Sequence, residues 1–161
     1  MQSLPEAMVL RKVWSADGLR VVFTNGCFDL LHPGHVRYLA DARALGDRLI
    51  VGLNDDNSVR RLKGNDKHVA RPLNPIADRA VMLEALRMVD AVVSFSEDTP
   101  IDLIATLLPD VLVKGGDYTL DTIVGAGIVC QHGGMVKLVP FLKGYSSSRL
   151  ICRIQAAAST S

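Results

Sequence analysis

Nowhere does the chain hold the ~20 continuous apolar residues that a helix needs to cross a bilayer, which excludes a membrane-spanning reading and predicts a soluble protein. Cysteine is scarce. Cys27, Cys130 and Cys152 are an odd number without metal-ligand spacing, which argues against a disulfide framework or a zinc site and leaves them as buried thiols. An excess of one charge is missing too. The net charge of +1 supplies no whole-molecule field for nucleic acid or an anionic membrane, so any handling of anions must be local. The N-terminal stretch MQSLPEAMVLRKVW carries an early glutamate and has no basic segment followed by an apolar one, so no secretory signal is read and a cytoplasmic protein is expected. The G-x-G-x-x-G fingerprint is absent, which counts against a dinucleotide-dependent dehydrogenase. No internal repeat and no linker divides the chain.

What is present is the composition of a globular domain: 161 residues, 48% hydrophobic and 22% charged, enough for one core. Five short β-branched or aliphatic runs recur between Gly, Asp, Asn and Pro: Arg20 to Thr24, Leu49 to Leu53, Ala91 to Phe95, Val111 to Val113 and Met135 to Val139. They read as buried strands. Between them lie segments of helical spacing, with Val36 and Leu39 marking one apolar face and Ile76, Ala80 and Leu83 another. Strands alternating with helices predict a single Rossmann-like, doubly wound α/β domain, with a five-stranded, mostly parallel sheet flanked by helices. A leading helix is expected within residues 1–17, from Ser3 to Trp14, and a closing one from Ser147 to Gln155; residues 156–161 read as a disordered tail.

In such sheets ligands lie outside the carboxyl ends of the strands. The stretch FTNGCFDLLHPGH, Phe23 to His35, leaves the first strand at Asn25-Gly26 and enters a helix whose first turn contains Gly34 and His35. The first amides of a helix lack internal partners and carry partial positive charge, which suits phosphate. Imidazoles at His32 and His35 can add hydrogen-bond donors, and Gly34 lets backbone and ligand approach.

The spacing His32, Pro33, Gly34, His35 after Gly-x-Phe-Asp resembles the H-x-G-H signature of the nucleotidyltransferase superfamily that includes the cytidylyltransferases. The resemblance runs over nearly the whole length. VVFTNGCFDLLHPGHVRYLADARALGDRLIVGLNDD, RLKG, RPLNPIADRAVMLEALRMVDAVVSFSEDTP, PDVLVKGGDY and GYSSSRLI follow one another as in the heptose 1-phosphate adenylyltransferases of that superfamily, which make ADP-heptose for lipopolysaccharide. In many bacteria that module is fused behind a sugar kinase, and this chain is similar to the stand-alone version. The resemblance implies attack by a sugar 1-phosphate oxygen on the α-phosphorus of ATP, with pyrophosphate leaving. The nucleophile is already an anion, so positioning and charge neutralisation carry the catalysis and no triad is needed. Partners implied are ATP and the sugar 1-phosphate, with Mg2+ accompanying the nucleotide and no protein ligand to the metal named. Nucleic acid and membrane are not expected, and the family tends to form homodimers.

The same resemblance assigns His32, His35, Lys63 and Arg79 to catalysis. Lys63, followed by Gly64, matches the family lysine that reaches the triphosphate from a polar loop able to close as a lid; Arg60, Arg61 and Lys67 read as a solvated face. Arg79 is either a phosphate or lid contact or a surface helix arginine. Thr24, Asn25, Gly26, Phe28 and Asp29 form the strand-end loop against the nucleotide, although Asn25 and Gly26 also suit a plain turn and Asp29 a cap or loop organiser. Lys114, Gly115, Gly116 and Asp117 end a strand in a form suited to nucleoside recognition or to a tight turn. Ser146, Ser147 and Ser148 open the last helix, where one serves as a cap and three make a second phosphate cradle. His68 and His132 read as ordinary loop histidines. Two alternatives stay open: a cytidylyl- or guanylyltransferase for another sugar or polyol phosphate, and a non-catalytic nucleotide-binding module.

Overall fold

A computed structural model describes residues 1–64, 69–116, 119 and 122–158. Alternation of element types runs from end to end: α1 (Leu4–Ala16), β1 (Val21–Gly26), α2 (Pro33–Arg43), β2 (Arg48–Asn54), α3 (Asp56–Lys63), α4 (Ile76–Glu84), β3 (Ala91–Phe95), α5 (Ile101–Leu107), β4 (Val111–Gly115), α6 (Ala126–Gln131), β5 (Met135–Val139) and α7 (Ser147–Ala158). Among the described residues the strands form one five-stranded sheet in the order β3-β2-β1-β4-β5, and every neighbouring pair is parallel. The order reverses between β1 and β4. The carboxyl ends of those two strands are therefore the place where an open α/β sheet takes its ligand.

Period-two alternation puts two cores on the two faces of the sheet. Val22, Leu49, Val51, Leu53, Val111 and Val113 pack with Tyr38, Leu39 and Ala42 of α2 and with Ala80 and Leu83 of α4. Val21, Phe23, Ile50, Val93 and Leu112 pack with Ala7 of α1, Leu103, Ile104 and Leu107 of α5, and Val129 of α6. Nearly all of these side chains are fully buried, at ~2 kcal/mol each for a Leu or Val, so the strands are the rigid part of the molecule.

The five expected strands are all present, with β1 and β4 two residues longer at their carboxyl ends than the apolar runs indicate. The extra residues, Asn25-Gly26 and Lys114-Gly115, carry the ladder to the edge where ligands bind. Three expectations are corrected. Val36 is 39% exposed, and α2 buries Gly34, Tyr38, Leu39 and Ala42 instead, because the stripe at i, i+4, i+5 and i+8 faces the sheet. Cys130 and Cys152 are exposed, since both fall on the outer faces of α6 and α7; Cys27 alone is partly buried. Residues 156–158 continue α7 as an alanine run of high helix propensity, and 159–161 lie outside the described residues.

Candidate active site

The loop from β1 to α2 is held in an uncommon shape. Phe28 has φ +46, a left-handed conformation that a bulky residue adopts only when its surroundings impose it. Those surroundings are specific. Asp29 is 1% exposed and accepts from the Leu73 and Asn74 amides and from Arg71 Nε at 2.5 Å, while Asn74 Nδ2 donates to the Asp29 carbonyl. Burial alone would raise the Asp29 carboxyl; the Asn74 and Leu73 amides and the Arg71 guanidinium outweigh it and hold the group below the usual carboxylate range. Asp29 is thus the organiser that joins the 71–74 segment to the loop.

Arg79 performs the same task from α4. Its guanidinium is fully buried and donates to the carbonyls of Cys27, Asn54 and Asn74 and to Asp56 Oδ1. Four of its five N–H donors are committed to the chain itself. The surface-arginine alternative gives way: Arg79 is a buried clamp that ties the ends of β1 and β2 to α4.

With the loop fixed, His32 becomes the N-cap of α2, its Nδ1 accepting from the His35 amide at 3.3 Å. An acceptor Nδ1 leaves the proton on Nε2, so His32 presents an N–H away from the helix. Its ring stacks on His35 at a centroid distance of 3.8 Å and an interplanar angle of 14°. Phe28 closes the far side of His35 edge-on, at 5.2 Å and 61°. Burial, and after it the charge of His32, pulls His35 down to about 4; burial also lowers His32. Both imidazoles are therefore neutral near pH 7. The His35 Nδ1 is buried without a hydrogen-bond partner of normal geometry. A Cβ at Gly34 would come to 3.0 Å from the His32 ring and from Tyr145 Cβ, so a side chain there would press on both.

Around this pair the remaining expected residues divide. Lys63 ends α3, exposed, and its charge is felt at Cys27 in the loop. Lys114 Nζ donates to Asn25 Oδ1 across the β1–β4 switch, and burial draws the lysine down to about 8. Thr24 faces inward: fully buried, its Oγ1 lies 2.6 Å from the Tyr38 hydroxyl and ties β1 to α2. Gly26 leaves space for the Phe28 ring. Gly115 and Gly116 lie under the ring of Phe141. Asp117, Lys67 and His68 lie outside the described residues. Of the three serines, Ser146 Oγ accepts from the Arg149 amide as the cap of α7, and Ser147 Oγ donates to the Leu30 carbonyl, docking α7 on the first loop. Ser146 and Ser148 are both exposed at the helix mouth, and Ser147 is half-buried. Sequence reasoning did not single out Tyr38, Asn74, Phe141 or Tyr145 as site residues, although all but Phe141 lie within the stretches that carry the resemblance.

Among the described residues no group of three His, Cys, Asp or Glu side chains is placed to hold a metal ion. A separate cavity of about 280 Å³ at the carboxyl end of β3 is lined by Asp55, Glu97 and Asp102, which repel phosphate.

The family model of cytidylyltransferase-like proteins matches residues 23–153, which takes in the histidine pair, the switch point and the start of α7. The chain belongs to the cytidylyltransferase-like family. It is a nucleotidyltransferase on that ground. Among individual relatives, the bifunctional protein HldE of Gluconacetobacter diazotrophicus is 60% identical over 144 residues, 89% of this chain and 29% of that protein. HldE of Alkalilimnicola ehrlichii is 57% identical over 145 residues, 90% of this chain and 30% of that protein. The chain thus spans about three-tenths of the length of these relatives. A lipopolysaccharide core biosynthesis protein from Thermoplasma volcanium superposes with a TM-score of 0.60 at 28% identity, over 80% of this chain and 100% of that one. A pantoate-beta-alanine ligase from Francisella tularensis shares the fold, with a TM-score of 0.56 at 12% identity over 92% of this chain and 73% of that one. As a cytidylyltransferase-like domain, the chain has its family motif where the sheet order reverses.

Proposed function

We propose that this cytidylyltransferase-like domain transfers AMP from ATP to D-glycero-D-manno-heptose 1-phosphate, giving ADP-heptose and pyrophosphate for lipopolysaccharide synthesis. The observation that carries the reading is the stacked, neutral His32–His35 pair at the mouth of α2, beside the reversal of strand order. The identity to HldE over nine-tenths of the chain supports the choice of heptose phosphate.

In the proposed step an anionic oxygen of the sugar phosphate attacks the α-phosphorus of ATP. The new P–O bond forms as the bond from the α-phosphorus to the bridging oxygen breaks, and that oxygen leaves with pyrophosphate. No proton moves at the reacting centre, so no base is needed. His32 donates from Nε2, and His35 offers a second imidazole aligned with it. The N–H of Gly34 is the first that α2 offers after Pro33, at the positive end of the helix dipole. Negative charge arriving there favours protonated imidazole, which adds stabilisation as the pyrophosphate leaves. Lys63 supplies an exposed cation from the end of α3, and Ser148 a hydroxyl from α7. A divalent ion bound with the nucleotide would neutralise part of the phosphate charge. Asp29, Arg71 and Arg79 act through the loop they hold. The enzyme works in the cytoplasm as a homodimer, without nucleic acid or membrane.

A panel of ATP, CTP and GTP against heptose 1-phosphate and glycerol 3-phosphate, read by pyrophosphate release, tests the assignment. ATP with heptose 1-phosphate is expected to turn over fastest by at least tenfold. Preference for CTP or for glycerol 3-phosphate would transfer the chain to another branch of the family, and ATP binding without turnover on any acceptor would make it a binding module.

A further inference from the structure

Neighbouring strands of the sheet do not stay paired equally far. β1 pairs with β2 through Gly26, opposite Leu53, and β4 with β5 through Gly115, opposite Val139. Between β1 and β4 the ladder holds two pairs, Val22 with Val111 and Phe23 with Leu112, and then stops, although the strands run on to Gly26 and Gly115. That break opens the crevice at the reversal of strand order. The pair due next is Thr24 with Val113. Asp110 and Gly116 bond toward β5, so the alternate residue Val113 turns its carbonyl toward β1, where continued pairing would bring the Asn25 amide onto it.

Side chains occupy the break instead. The Tyr38 hydroxyl donates to the Val113 carbonyl at 3.3 Å. Its one proton is used there, so the Thr24 hydroxyl is the donor in the 2.6 Å contact between the two side chains. All three residues are buried. One pair further on, Lys114 Nζ donates to Asn25 Oδ1. Tyr38 reaches the break from α2, on the face that holds Val22 and Val113, while Asn25 and Lys114 alternate to the other face with Phe23 and Leu112. A buried carbonyl must have a donor, and the nearest in register is the Asn25 amide. With a tyrosine on Val113 in its place, that amide stays out of the β1–β4 ladder.

We propose that Tyr38 is a positioning residue for nucleotidyl transfer: its hydroxyl stops the β1–β4 ladder after Phe23 and Leu112 and so fixes the width of the crevice in which triphosphate and acceptor are aligned. The role in transfer rests on the nucleotidyltransferase reading above; the stop in the ladder does not. Tyr38 acts through Thr24, Val113 and the loop that begins at Asn25, and the hydroxyl itself has no part in bond making.

Amide exchange followed residue by residue by NMR tests the stop, and steady-state kinetics of the full chain test the role. In wild type the Asn25 amide is expected to exchange about a hundredfold faster than that of Phe23, which lies within the ladder. Tyr38→Phe keeps the ring and frees the Val113 carbonyl. The ladder should then close by one pair and slow Asn25 exchange about tenfold. With it kcat should fall about tenfold while both KM values stay within twofold, because each substrate is still bound and their alignment is lost. A merely structural tyrosine predicts the reverse: Asn25 exchange in Tyr38→Phe as fast as in wild type or faster, with kcat retained. Either result overturns the proposal, as does a Tyr38→Phe chain that fails to fold. So does a wild-type Asn25 amide protected like that of Phe23, a result that needs no variant. Wild type with the expected exchange but no turnover on any nucleotide and acceptor would remove the role in transfer and leave the stop in the ladder standing.

Discussion

His35 is an imidazole kept neutral by its neighbours, and two predictions follow from that state. Replacing it with asparagine removes one preorganised donor, typically ~3 kcal/mol of transition-state stabilisation, so turnover should fall about a hundredfold with the melting temperature nearly unchanged. Lost stability with retained turnover would mark His35 as scaffold. The second concerns pH. The folded group is pulled down to about 4 from an ordinary value of 6.5, so between those values the unfolded chain binds more protons than the folded one. Stability should therefore decline as pH falls from about 6.5 toward 4, by a contribution on the order of 3 kcal/mol at the acid end. Thermal melts across that window should be flatter in His35→Asn. Arg79 makes the opposite case. As a clamp it should be needed for the fold, and Arg79→Lys, which cannot hold three carbonyls and Asp56 at once, should cost about 3 kcal/mol and lower the melting temperature. An unchanged melt with reduced turnover would return Arg79 to the phosphates.

At the scale of elements, the strands were legible because each is a short β-branched run between breakers, and α2 because His32-Pro33-Gly34 is a local starting signal. The histidine nook was legible for the same reason: its parts lie within a few residues of one another. Asp29 with Arg71 and Arg79 with Cys27 were not, since they join residues 42 and 52 positions apart and only the folded sheet brings them together. The serines were half legible. Composition suggests a phosphate cradle, yet Ser146 is used as a cap and Ser147 as a dock to Leu30, which depends on where α7 lands. That landing is light: Ile151 is the one buried residue of α7 among those described, against continuous burial in β1. Amides of α7 should accordingly exchange with solvent orders of magnitude faster than those of Val21 to Thr24, read by hydrogen exchange and mass spectrometry. Equal protection of the two would mean that α7 is held by more than this contact.

Taken as a whole, the molecule places no strong net field around itself, and the proposed anion site lies at one edge of the sheet. The acid-lined cavity at the end of β3 and the imidazole nook at the end of β1 occupy that same edge with opposite character. A triphosphate should distinguish them without ambiguity. The most direct measurement is a crystal structure with a non-hydrolysable ATP analogue and magnesium. Phosphate oxygens within hydrogen-bond distance of His32, His35 and the first amides of α2 are the predicted result. A well-ordered analogue bound elsewhere, with that nook empty, would contradict the account.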